Sequence, residues 1–362
     1  MSRHTVLYDE HVRLGGKLVN FAGWDMPLNY GSQMEEHHAV RQSAGAFDVS
    51  HMTVIDVSGD DAERWLRYLI ANDVGVLDAG QAQYGLLLNQ EAGIIDDLIA
   101  YKRDMAYRLI VNAGTRDTVL EWMGKQQGEY QVSWIHRSDL AIIAVQGPKA
   151  ISMFQQVTGI DCSDMPAFSF LDKSEDSGKH NNWMIARTGY TGEAGLELVL
   201  PEQDAPALWQ DLMEIGVNPV GLAARDTLRL EAGMSLSGQD MDENTHALES
   251  NLGWTIAWKP ETRNFIGRDT LAAIREKGSA LKLTGVTLEG RGVLRHGQKI
   301  FSAVGEGIVT SGIFSPTLGY SIGLARLPRS AVGSCEVEIR NKRLPVKIVR
   351  PPFVRNGQKV IK

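Results

Sequence analysis

Between residues 83 and 111, three short runs rich in apolar residues, 83–88, 94–101 and 107–111, read as strands. Polar turns at 89–92 and 103–105 separate them. Short apolar runs joined by short loops predict an antiparallel meander. Helical spacing surrounds it. Residues 60–71 read as a short helix with Trp65, Leu66, Leu69 and Ile70 turned inward, and a second helix is expected near 115–125. Strands follow near 131–135 and 140–145, and Gln146-Gly147-Pro148 turns the chain into a further helix.

Toward the N-terminus, residues 18–30 read as a strand followed by a loop, broken by Gly23 and Pro27. Ser32-Gln33-Met34-Glu35 has the S-x-x-E spacing of a capping box and opens a helix, with Gly45 as its expected stop. Residues 47–57 alternate as a strand. Later, 206–216 form an amphipathic helix with proline in its first turn, and 223–233 form another, ended by Gly233. Beyond Leu281 the pattern changes to short strands between Gly-rich turns, at 283–288, 307–311, 320–324, 336–339 and 344–349. That pattern predicts a small all-β barrel or sandwich, with a domain boundary near 275. Helices and paired strands in this order argue for an α+β fold rather than a doubly wound parallel sheet.

The 362 residues are 43% hydrophobic and 22% charged, enough to bury a sizeable core in two domains or a tightly joined set of three. The net charge of −7 gives no global nucleic-acid footprint. It is unevenly placed: residues 281–362 carry 14 Lys+Arg against 4 Asp+Glu, while residues 1–280 carry 23 against 40. A basic C-terminal module beside an acidic body suggests separate domains and an acidic partner, or an accident of composition. No apolar run approaches the length of a membrane span, and the first residues lack a signal-type apolar region. The expectation is a bacterial-type cytoplasmic protein, or a mature form without its targeting segment. Cys162 and Cys335 are the only cysteines and form no C-x-x-C pair, so neither a zinc site nor a disulfide framework is indicated. His37 and His38 are adjacent on a helix and so do not share a face, which argues against a metal pair.

The most informative string is Gly93-Ile94-Ile95-Asp96-Asp97-Leu98-Ile99. Successive strand side chains point to opposite faces, so Asp96 and Asp97 cannot both face one side, and one of them should point inward. A carboxylate held among Ile and Leu is costly unless a cation or a polar group meets it. Asp pairs at strand starts also commonly serve turns. A second string, Arg187 to Leu198, holds three glycines in seven residues (Gly189, Gly192, Gly195), a loop that lets backbone approach something closely. It matches neither a dinucleotide fingerprint nor a phosphate loop. Glu197 follows between Leu196 and Leu198, facing either a polar pocket or solvent. Arg225 and Arg229 lie four apart on one helix face, where an arginine meets a ligand carboxylate or a neighbour such as Glu231.

Several strings are familiar together and in order: Phe21-Ala22-Gly23-Trp24, Glu36 to Arg41, Phe47-Asp48-Val49-Ser50-His51-Met52, Gly93 to Leu98, Thr188 to Gly195 and Ala224 to Gly233. Asn251-Leu252-Gly253-Trp254, Phe265-Ile266-Gly267-Arg268, Ser311 to Tyr320 and Pro352-Phe353-Val354 continue the series. Over essentially its whole length the chain resembles the glycine cleavage T-protein family of tetrahydrofolate-dependent aminomethyltransferases. The resemblance implies a three-lobed cloverleaf around a folate channel. Its folate-binding region would span 1–275 in two lobes, roughly 1–50 with 140–275, and 51–139. A β-barrel would span 276–362.

The resemblance also implies a reaction. An aminomethyl group carried on the dihydrolipoyl arm of the H-protein passes to tetrahydrofolate, giving 5,10-methylenetetrahydrofolate, ammonia and the reduced arm. Asp96 corresponds to the carboxylate near N10 of the folate, where it orients the amine, stabilises developing positive charge and manages the proton. Glu197 corresponds to the residue that accepts from the pterin edge. Tyr84, Tyr190 and Asn112 correspond to contacts around the ring system, and Arg225 to the cation for the glutamate or benzoyl portion. No metal site is implied. One position departs: the family's Leu-Tyr-Gly is Leu236-Ser237-Gly238 here, which removes an aromatic wall unless a neighbour such as Trp254 replaces it. An alternative is a demethylase of the same fold acting on a small methylated sulfur or nitrogen compound. A non-catalytic folate-binding assembly factor is disfavoured, because its Lys-Gly-Cys-x-x-Gly-Gln-Glu signature is absent. The basic C-terminal module is expected to help dock an acidic H-protein.

Overall fold

The computed structural model describes residues 2–173 and 180–361. Helices and sheets both contribute. One sheet has six strands in the order Phe170–Asp172, Met184–Ala186, Gly195–Pro201, Leu140–Gln146, Gly45–Asp48 and Asn218–Pro219. Its ladders are antiparallel except the last, where Asn218–Pro219 runs parallel to Gly45–Asp48. A second sheet has five strands in the order Gln81–Leu88, Ile94–Lys102, Ala106–Val111, Thr53–Ser58 and Ser133–His136. The meander read from the sequence supplies three of its five strands, with boundaries within two residues of those expected.

The chain divides into two compact units. One comprises 1–65, 74–83 and 98–226, and the other 66–73, 84–97 and 227–362. In the first, the six-stranded sheet buries Ile143, Leu196 and Leu198 against Phe154 of the helix Ala150–Thr158 and Trp209 of the helix Ala205–Glu214. In the second, Leu86, Leu88 and Ile94 pack with Phe265 and with Leu271 of the helix Arg268–Lys277. The same unit contains a closed six-stranded barrel, in the order Leu281–Leu288, Ser321–Pro328, Gly305–Phe314, Lys299–Ser302, Ser334–Ile339 and Lys342–Val349. Its interior is apolar, with Val286, Ile300, Val309, Leu327 and Val337 buried. Among the described residues no helix is long and apolar enough to cross a membrane.

Four local expectations change. The helix opened by Ser32 is Gln33–Gln42, and Ser32 Oγ accepts the Glu35 N–H at 3.3 Å as the capping box requires. It stops before Gly45, which opens a strand. A Cβ at Gly45 would lie 2.5 Å from methyls of both Val40 and Val220, so the glycine is there for packing. Residues 18–30 form a hairpin, Lys17–Phe21 with Trp24–Asn29, turned by Ala22 and Gly23 at φ 50° and 82°. Pro27 is tolerated because every strand of a two-stranded ribbon is an edge. The run 47–57 splits into Gly45–Asp48 and Thr53–Ser58, which lie in different sheets. Asp48 Oδ1 accepts the Ser50 N–H at 2.9 Å and bends the chain between them. Finally, the short strand Lys299–Ser302, absent from the runs read in the sequence, completes the barrel.

Candidate functional site

The strand Ile94–Lys102 separates the two aspartates as pleating requires. Asp96 is fully buried, whereas Asp97 is half-buried and accepts the Tyr84 hydroxyl at 2.9 Å. The Tyr84 ring stacks on Trp254, with centroids 5.8 Å apart and planes 20° apart. Trp254 is 70% exposed, so one face of this aromatic pair is open to a flat ligand. Ser237 Oγ lies 3.4 Å from Asp96 Oδ1, at the long edge of hydrogen bonding. The position that departs from the family string therefore touches the candidate carboxylate.

Packing fixes the start of that strand. Ile94 donates its N–H to the carbonyls of Asp242 and Thr245, each at 3.0 Å, and a Cβ on Gly93 would sit 1.8 Å from the Glu243 oxygen. Only glycine admits such an approach. The Ser237 turn is held equally firmly. Asp240, fully buried, accepts from Arg229 at 2.8 Å, Ser311 at 2.9 Å, Thr310 at 2.5 Å and the Leu236 N–H at 2.9 Å. Thr310 and Ser311 are consecutive and would ordinarily face opposite ways. A register shift between Val309 and Ser311 turns both toward the same carboxylate. Arg326 donates to the Asp240 carbonyl at 2.6 Å. Two barrel strands thus anchor the turn that carries Ser237.

A second cluster lies within the other unit. Glu197, half-buried on the strand Gly195–Pro201, accepts the Thr188 hydroxyl at 2.6 Å. Tyr101, fully buried, lies 3.3 Å from the same Thr188 oxygen. The guanidinium of Arg225 rests 4.8 Å above the Tyr190 ring. Burial pulls the Arg225 pKa below its ordinary value, and the negative charge of Glu197 opposes that shift. Among the described residues Arg225 has no side-chain hydrogen bond or ion pair. Glu231, its possible partner by sequence, is instead held by Ser315 at 2.5 Å and Thr317 at 2.8 Å. Arg229 is buried and engaged with Asp240. The arginine free of an ion pair is thus the one expected to meet an anionic ligand. Asn112 follows the strand Ala106–Val111, half-buried, and its carbonyl accepts the Thr115 hydroxyl at 3.2 Å.

Three residues of this cluster escaped the sequence reading. The glycines at 189 and 195 surround Gln146, because a Cβ at either would come within 2.3 Å of its amide. Gln146 is buried, donates to the carbonyls of Thr188 and Leu196 and accepts from Thr191 at 2.9 Å. Arg41 spans the same loop, binding the Thr191 carbonyl at 2.8 Å and Glu193 at 2.7 Å. The glycine spacing signalled a close approach but could not name what approached. His51 is buried, and its Nδ1 has no hydrogen-bond partner among the described residues. Desolvation, aided by the Arg225 charge and opposed by Asp48, lowers its pKa to about 4. No group of three metal-ligating side chains occurs among the described residues, and His37 and His38 meet edge to face rather than converging.

The sequence matches the GCVT N-terminal domain over residues 7–260 and the Glycine cleavage T-protein C-terminal barrel domain over residues 282–355. The chain belongs to the glycine cleavage T-protein family. It is 53% identical to the aminomethyltransferase of Alcanivorax borkumensis over 367 positions, covering 100% of this chain and 99% of that relative. The crystal structure of the glycine cleavage system aminomethyltransferase T from Bartonella henselae superposes with a TM-score of 0.92 at 33% identity, covering 100% of both chains. The fold class read from the sequence, α+β with a C-terminal barrel, is that of this T-protein structure.

Proposed function

We infer that this T-protein family member is an aminomethyltransferase of the glycine cleavage system. It moves the methylene carbon of S-aminomethyl-dihydrolipoyl H-protein to tetrahydrofolate. The C–S bond and the C–N bond to the leaving amine break, and bonds from that carbon to N5 and N10 of the folate form. The two N–H protons lost by the folate go to the sulfur and to ammonia, so the products are dihydrolipoyl H-protein, ammonium and 5,10-methylenetetrahydrofolate. The observation that carries this reading is the fully buried Asp96 within a chain that matches an aminomethyltransferase from end to end.

Each cluster suits a part of that chemistry. Asp96, fully buried, stabilises the positive charge that grows on the attacked carbon and on N10, and holds the departing proton. Glu197 accepts from the row of N–H donors on the pterin edge. Arg225, without an ion pair, meets the glutamate or benzoyl end of the folate, with Tyr190 beneath it. Tyr84 and Asn112 complete the contacts to the ring system. The exposed Trp254 supplies the aromatic surface that Ser237 lacks.

The test is donor preference. With tetrahydrofolate present, methylenetetrahydrofolate forms from aminomethyl-loaded H-protein and not from small N- or S-methyl compounds. Turnover of the small donors alone would favour the demethylase alternative.

A further inference from the structure

Tyr101, Thr188 and Glu197 form a chain of hydroxyls with one possible direction. An ionised carboxylate only accepts, so the single Thr188 proton points at Glu197 Oε2, 2.6 Å away. The Thr188 oxygen is then free to accept, and Tyr101, 3.3 Å away, must donate to it. Burial and the nearby Glu197 charge raise the Tyr101 pKa, so the phenol keeps its proton. The backbone of Thr188 is equally constrained. Its carbonyl accepts from the buried Gln146 amide at 3.2 Å, and Gly189 beside it leaves room for that amide and for nothing larger. Gln146 also ties down Thr191, and Arg41 holds the same loop at the Thr191 carbonyl and at Glu193. One oxygen of Glu197 is therefore fixed by the protein. Oε1 accepts no hydrogen bond among the described residues and is the oxygen left to a ligand.

We propose that Thr188 is a positioning residue for the pterin-reading carboxylate: held by Tyr101 and by the Gln146-latched glycine loop, it locks Glu197 through Oε2 and presents Oε1 to the ligand's N–H donors. The proposal rests on the assignment of Glu197 to the pterin. It assigns the Gly189–Gly195 segment a purpose in recognition. The loop is tight so that a hydroxyl can be aimed, rather than to admit a phosphate or a second ligand.

A thermodynamic cycle on tetrahydrofolate binding tests it, measured by calorimetry, with steady-state kinetics alongside. Thr188→Val keeps the shape and removes the donor. The expected loss of affinity is ~10-fold, the scale of a hydrogen bond to a charged group, and KM for the folate should change more than kcat. Thr188→Ser should bind as the wild type does, and Tyr101→Phe should weaken binding in the same direction by a smaller factor. In a Glu197→Gln background the Thr188→Val effect should vanish, because it acts only through the carboxylate. A persistent loss in that background would mean that Thr188 merely holds the fold and would overturn the proposal. So would wild-type binding by Thr188→Val when Glu197→Gln is weakened. If Glu197→Gln itself binds normally, the assignment of Glu197 fails first, which separates the two outcomes.

Discussion

Ser237 places its hydroxyl oxygen 3.4 Å from Oδ1 of Asp96, the fully buried carboxylate of the strand Ile94–Lys102. Asp97, the next residue, faces the other way and accepts the Tyr84 hydroxyl. Two adjacent aspartates therefore live in different surroundings, and their substitutions should differ. Asp96→Asn should keep folate binding while turnover falls on the order of 10²–10⁴-fold, the usual contribution of a positioned acid–base group. Asp97→Asn should lower turnover far less. Ammonia release and folate binding, measured on both variants, check this, and equal losses would mean that the opposite facing of the two carboxylates has no catalytic meaning.

Gly93 sets the height of that strand against the Glu243 carbonyl. Gly93→Ala must push apart atoms that would stand 1.8 Å from each other, and both partners are backbone. A stability loss on the order of 2–4 kcal/mol is expected. Well below its melting temperature the variant should also turn over more slowly, because Asp96 lies three residues along the displaced strand. Denaturant unfolding and an activity assay at low temperature read the two effects.

His51 gives the protein an acid-sensitive term. Its folded pKa is about 4 and its ordinary value 6.5, with desolvation the leading cause. Between those values the unfolded chain binds a proton that the folded chain refuses. The stability contribution is therefore intact above pH 6.5 and is lost as pH falls toward 4, by about 3 kcal/mol over the interval. His51→Gln should flatten this part of the stability profile. Urea unfolding at pH 7 and at pH 4.5, on both proteins, measures it, and parallel profiles would remove His51 from the account.

The barrel surface carries the basic excess read from the sequence. Arg291, Arg295, Lys299, Arg329, Arg340 and Lys342 are all exposed and have no ion pair among the described residues. If these cations help dock an acidic H-protein, KM for that protein should rise steeply between low and high salt, while KM for the folate changes little. A KM for H-protein that ignores ionic strength would place docking elsewhere.

Much of this fold could be read from residue patterns, and the reasons are physical. Short apolar runs bounded by turn residues marked the meander and most of the barrel, because those strands are largely buried and their turns are local. The capping box located a helix start to the residue. What escaped were short features held by partners distant in sequence. Asp48 bends the chain through a side-chain bond that no periodicity encodes. Lys299–Ser302 is a strand only because the barrel closes around it. The site was legible in the same uneven way. Asp96 could be argued inward from the alternation, and Glu197 only narrowed to pocket or solvent. Gln146 could not be seen, since its role depends on the space left by Gly189 and Gly195. The tie between Ser237 and Asp96 joins residues 141 positions apart and needed the folded chain.

The most direct test of the central claim is ammonia release from aminomethyl-loaded lipoyl H-protein, with the folate and this protein each included or left out. Release well above background only when both are present, with methylenetetrahydrofolate formed in equal amount, is the predicted result. Release that proceeds at the same rate without tetrahydrofolate, or no release despite folate binding, would contradict aminomethyl transfer to folate as the function of this chain.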